Sequence, residues 1–113
     1  MKTIRIWTSD YNPFILGGDV HAPAMCEIEV KGSLVPLGKG MKGYLITAPD
    51  GSTVVAESTT GALIGPTLEE VREDIKATSL RIVKEQMKDA KYRADKAVMT
   101  SPEKFWAKMK RSK

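Results

Sequence analysis

At 113 residues the chain is long enough to bury one core and short for an enzyme. A composition of 42% hydrophobic and 28% charged residues excludes a disordered tail, and no apolar run nears the ~18 residues that would span a membrane. The net charge of +4 is unevenly spread: residues 1–66 carry five bases against six acids, whereas from Lys76 onward twelve bases face four acids, a segregation that marks a surface meant for something acidic.

The N-terminus, MKTIRIWTSD, lacks the apolar core of a signal peptide, so a cytoplasmic protein of bacterial or phage type is expected. KTIRIW alternates, with Ile4 and Ile6 on one side and Arg5 and Trp7 on the other. YNPFILGGDVHAP (11–23) is punctuated by Pro13, Gly17, Gly18 and Pro23 and reads as a loop. MCEIEVK alternates again, Cys26, Ile28 and Val30 opposing Glu27, Glu29 and Lys31. Cys26 is the single cysteine, which excludes an intrachain disulfide. In YLITAPDGSTVVAES two β-branched runs flank Pro49-Asp50-Gly51; proline presets the turn and glycine accepts positive φ, so a hairpin is predicted. TTGALIGP follows as a loop or a short last strand through Ala62-Leu63-Ile64.

Helix is predicted from Thr67. Thr67 and Glu70 have capping-box spacing, and Glu69, Glu70, Glu73 and Asp74 load the first turns with the charge the helix dipole favours. An apolar stripe runs through Leu68, Val71, Ile75, Ile82, Val83, Met87, Ala90, Ala94 and Ala97. Unbroken to Met99 this helix would be roughly 45 Å long, with Thr78-Ser79 as its weak point. Ser101-Pro102 starts a second helix, serine as cap and proline at the first helical position. The plan is α+β: a small antiparallel sheet of about four strands, then one long helix and a short C-terminal helix, in a single domain over 1–113.

Gly38-Lys39-Gly40-Met41-Lys42-Gly43 matches G-x-G-x-x-G. The dinucleotide fingerprint needs a helix next, to receive the pyrophosphate, and a strand follows here instead. The stretch has the style of a kinase glycine loop, but neither an HRD-like nor a DFG motif accompanies it. A Walker loop fails on spacing, with five residues between Gly32 and Gly38 and no Ser or Thr after Lys39. The stretch therefore reads as a mobile basic connection between strands, with Lys39 and Lys42 as a second contact patch for phosphate or an acidic partner. His21 and Cys26 are the only residues of their kinds. A nucleophilic pair would need them in contact, but the alternation makes Cys26 a buried hydrophobe, and one His with one Cys cannot complete a tetrahedral metal set. No catalytic residue, cofactor or metal site is therefore expected.

The strongest feature is basic. At 100° per residue Arg81, Lys84, Lys88 and Lys91 fall within an arc of about 80°, opposite Ile75, Ile82 and Ala90. Asp95 shares the arc, and the plain alternative is a solvated helix face on which Glu85–Lys88 and Lys91–Asp95 pair locally. In the tail, SPEKFWAKMKRSK, helical spacing places Phe105, Trp106 and Met109 on one side and Lys104, Lys108 and Arg111 on the other. Three anchors on so short a helix are few for a membrane; the aromatics close the core, which is the favoured reading, anchor a partner, or stack on bases if they stand exposed beside the charge.

In size and plan the chain resembles small phage and mobile-element proteins, of the anti-CRISPR or anti-restriction kind, that inhibit host nucleoprotein machinery. The expected function is a non-enzymatic binding protein. Its basic half engages nucleic acid or a nucleoprotein complex through Arg81, Lys84, Lys88, Lys91, Lys104, Lys108 and Arg111. The alternative is a protein–protein module, a homodimer included, with Phe105 and Trp106 as hot spots.

Overall fold

The computed structural model describes residues 2–8 and 24–111, the side chains of 108–111 excepted. The loop expected over 11–23 lies outside these residues, as does His21. The described elements are β1 (Lys2–Thr8), β2 (Ala24–Val30), β3 (Val35–Gly38), β4 (Met41–Thr47), β5 (Thr53–Glu57), β6 (Leu63–Gly65), α1 (Leu68–Ala77), α2 (Leu80–Asp95), β7 (Val98–Met99) and α3 (Pro102–Arg111). The α+β plan is present. A four-stranded antiparallel sheet, β3-β4-β5-β6, stands beside a second sheet, β1-β2-β7.

The alternating strands pair as their patterns require. Antiparallel register sets Ile4 opposite Ile28 and Ile6 opposite Cys26, so the apolar sides of β1 and β2 coincide. That face meets Tyr44, Ile46 and Ala56 of the four-stranded sheet in the main core. The other face of β1 and β2 is also covered: Trp7 and Met25 pack against Ala90, Ala94 and Ala97. On the outer face of the four-stranded sheet, Leu37 and Val55 receive Val71 and Ile75 from α1.

The predicted hairpin joins β4 to β5. The Gly51 amide donates to the Ala48 carbonyl at 2.9 Å, Gly51 adopts φ 89°, and Asp50 Oδ1 accepts from the Ser52 amide at 3.0 Å. After β5 the chain turns through Ser58-Thr59-Thr60-Gly61 and is stitched to β1. Trp7 donates its amide to the Gly61 carbonyl at 3.0 Å and its indole Nε1 to the Thr60 carbonyl at 2.9 Å. Gly61 has φ 78°, and a Cβ there would run into the Arg5 carbonyl oxygen, so both conformation and space demand glycine.

The helical run divides at its expected weak point, Thr78-Ser79, into α1 and the longer α2. Thr78 leaves helical geometry at φ −97°, ψ 131°, while its hydroxyl donates back to the Asp74 carbonyl at 2.7 Å. Ser79 then caps α2 by accepting the Ile82 amide at 3.3 Å. Adjacent hydroxyls that compete for backbone groups split the element at its weak point. The break also shifts the apolar stripe: Val83 is buried, whereas Ile82, expected inside, is 39% exposed. The helix ends at Asp95 rather than Met99, because Val98 and Met99 pair in parallel with Ala24 and Met25, and the Thr100 amide donates to the Met25 carbonyl at 2.6 Å.

The Thr67 cap forms as predicted, its hydroxyl accepting the Glu70 amide at 3.1 Å. So does the Ser101 cap of α3, which accepts the Lys104 amide at 3.3 Å. Phe105 is fully buried in the main core and Trp106 packs half-buried beside it, the rings edge-to-face at 5.3 Å and 86°. Burial of a phenylalanine side chain contributes about 1.5–3 kcal/mol, and the aromatic pair adds to it.

Candidate functional site

Cys26 is the buried hydrophobe that the strand alternation predicted. Cys26 has no exposed surface, and burial pushes its thiol up to about 12, far from the thiolate that nucleophilic chemistry uses. Among the described residues no cluster of His, Cys, Asp or Glu could hold a metal ion.

The glycine-rich stretch spans the end of β3, the tight turn at Lys39-Gly40 and the start of β4. Lys39 occupies φ 50°, unusual for a residue with a Cβ, and its Nζ donates to the carbonyls of Ile75 at 2.8 Å and Lys76 at 3.0 Å. It therefore caps the C-terminus of α1, where a cation offsets the negative end of the helix dipole. The connection expected to be loose is fastened to a helix, and its first lysine is engaged within the chain. Lys42 is exposed on β4.

Glu57 ends β5 with 2% of its surface exposed. Its carboxylate accepts the Thr59 amide at 2.9 Å, the Thr60 amide at 2.7 Å, the Thr59 hydroxyl at 2.7 Å and the Thr60 hydroxyl at 2.9 Å. Four short donors replace the water that a buried carboxylate gives up. Sequence reasoning counted Glu57 only as a charge. The available signal was Glu57-Ser58-Thr59-Thr60-Gly61, a strand-terminal acid followed by three hydroxyl residues and a turn glycine.

Three cavities open around this loop, and Glu57 and Thr60 line all of them. A narrow one of about 160 Å³ lies under α2 between Ile64, Val71, Ile75, Val83 and Met87. A second, about 590 Å³, lies toward Arg5, Tyr44 and Asp95. The third, about 600 Å³, is a cleft between α2 and the β3–β4 turn. Lys84, Lys88 and Lys91 line this cleft from α2, and Lys39 lines it from the turn. Three of the four helix cations singled out by periodicity thus share one cleft with the lysine of the glycine-rich stretch, a neighbourhood that the sequence did not reveal.

The other candidates fall elsewhere. Arg81 is exposed on α2 but does not line the cleft. Lys104 is exposed on α3, and the side chains of Lys108, Met109 and Arg111 lie outside the described residues. Phe105 is withdrawn into the core, which removes it from any partner-facing surface. Neither expected local pair, Glu85–Lys88 or Lys91–Asp95, is formed; the ion pair on α2 joins Arg93 to Asp89 at 3.1 Å. Among the described residues, Lys84, Lys88 and Lys91 have no carboxylate at ion-pair distance. No helix among the described residues is long and apolar enough to cross a membrane. Comparison with protein families, curated proteins and solved structures found no match for this chain.

Proposed function

We propose that this is a non-enzymatic binding protein whose basic helical surface engages an acidic surface of a nucleic acid or nucleoprotein complex, as an inhibitor of the phage or mobile-element kind. One observation carries the reading: Lys84, Lys88 and Lys91 flank a single cleft, and among the described residues none of the three has a carboxylate at ion-pair distance. Uncompensated like charges repel one another, and an acidic ligand relieves that repulsion while gaining long-range attraction. Binding from host extract, with and without nuclease, tests it by comparing wild type with the Lys84→Glu, Lys88→Glu, Lys91→Glu triple variant. Capture lost in the triple variant while its circular dichroism stays native supports the reading; equal capture by both proteins rejects it.

A second reading, self-association, draws on β7. Val98 is 53% and Met99 48% exposed on a short strand that, among the described residues, is paired on one side only. Sedimentation of wild type against Val98→Lys tests it: a dimer that the variant abolishes supports it, and a monomer across the accessible concentrations rejects it.

A further inference from the structure

We infer that the cleft between α2 and the β3–β4 turn takes an acidic amphipathic segment of a partner protein, a statement that deepens the proposed function and rests on it. The floor decides between ligand classes. Met41, Leu80, Val83 and Met87 line it, two thioethers and two branched aliphatics. Leu80 opens α2 with 49% of its surface exposed, apolar area that the other described residues leave uncovered. Single-stranded nucleic acid is held by stacking bases on aromatic side chains. Among the described residues no aromatic lines this cleft, and the exposed ring of α2, Tyr92, sits under the Lys96 ammonium at 4.6 Å.

The inner wall also argues against phosphate. Glu57 stands there, and the hydroxyl protons of Thr59 and Thr60 are already committed to its carboxylate. A phosphate driven inward would meet a buried anion and no spare hydroxyl donor. An apolar side chain meets neither penalty, and thioethers adapt to anchors of varied shape.

The lip supplies the complementary charge. Lys84, Lys88 and Lys91 recur at intervals of four and three, so their stems align along one side of α2. From Leu80 to Lys91 the helix offers roughly 16 Å, about three turns. A partner helix with carboxylates at the same spacing and apolar residues between them would satisfy lip and floor together.

The test selects ligands from two random libraries side by side on the immobilised full chain, one of peptides of three to four helical turns and one of single-stranded oligonucleotides. Enriched ligands are then titrated by fluorescence anisotropy against wild type, the Lys84→Glu, Lys88→Glu, Lys91→Glu triple variant, Met87→Gln and Arg81→Glu. Peptides are expected to be enriched that carry Asp or Glu at intervals of three or four with Leu, Met or Phe between. Their affinity should fall about tenfold or more in the triple variant and about threefold in Met87→Gln. Arg81→Glu reverses a charge on the same helix outside the cleft and should change affinity by less than about twofold. Oligonucleotides enriched without peptides, and released by the triple variant, would overturn this inference and leave the acidic-surface function standing. Enrichment of neither library, or ligands that the triple variant still binds, would overturn both. Acidic peptides without apolar residues, indifferent to Met87→Gln, would overturn the role given to the floor. Melting curves for each variant separate lost binding from lost fold.

Discussion

The two consecutive helices invert the usual relation between length and attachment. α1 has ten residues, buries Val71 and Ile75 in a cluster with the four-stranded sheet, and is held at both ends by Thr67 and Lys39. A side-chain bond, Arg72 Nε to the Pro36 carbonyl at 3.1 Å, ties it to β3 as well. α2 has sixteen residues and buries only Val83. It rests on Met87, Ala90 and Ala94 at the mouths of cavities, with its lysines turned to solvent. Helical stability in proteins comes mostly from the face that is packed. The shorter helix therefore belongs to the scaffold, and the longer one is displayed by it.

The contrast is sharpest where the two helices carry the same residue. Ile75→Ala removes a side chain that is 7% exposed and should cost about 2–5 kcal/mol in urea denaturation. Ile82→Ala, at 39% exposure, should stay within about 0.5 kcal/mol. Comparable losses at the two sites would break the distinction between scaffold and display. A smaller effect is expected at the loop that separates the cavities. Glu57→Gln turns an acceptor of four donors into a group that must also place two protons, and should cost about 1–3 kcal/mol. The indole of Trp7 reports the same event, since it donates to the Thr60 carbonyl: its near-ultraviolet dichroism should weaken together with stability.

Lys39→Met should cost about 1 kcal/mol by uncapping α1. Hydrogen exchange should rise in the last turn of α1 and stay unchanged in α2; acceleration shared equally by the two helices would show them to be one cooperative unit. Smallest of all is the expected effect of Lys84→Glu, within about 0.5 kcal/mol, because an exposed ammonium without a partner among the described residues gives stability little to lose. A larger loss there would mean that α2 is held by its charges as well as by its apolar side.

How legible these features were in the sequence follows from how local their causes are. The hairpin at Pro49-Asp50-Gly51 and the caps at Thr67 and Ser101 depend on neighbours within four residues, and each stands where local chemistry puts it. The break at Thr78-Ser79 was visible as a weakness but not as a certainty. Whether two hydroxyls end a helix depends on what the next segment packs against, here Val83 rather than Ile82. The second sheet was hidden further. Val98 and Met99 become a strand only because Met25 offers a backbone edge, about 75 residues earlier in the chain. The candidate cleft was half legible. Periodicity found Lys84, Lys88 and Lys91, but Lys39 joins them through tertiary folding, and Glu57 was invisible because its donors give no charge pattern.

The lone thiol has a practical consequence. Cys26 lies in the main core between the two sheets, without exposed surface and with its ionisation pushed from 9.0 up to about 12. A thiol reagent can reach it only when that core opens, so each alkylation event records one excursion of the native protein. Below pH 9 both native and unfolded chains keep the proton, and the labelling rate should follow the unfolded population together with the reagent's own need for thiolate. Between 9 and about 12 the unfolded chain releases the proton while the native one holds it, so stability should fall as pH rises across that window. The buried thiol is then a built-in clock. Read by mass spectrometry of the alkylated thiol, it measures how readily the two sheets part without an engineered tag or a denaturant.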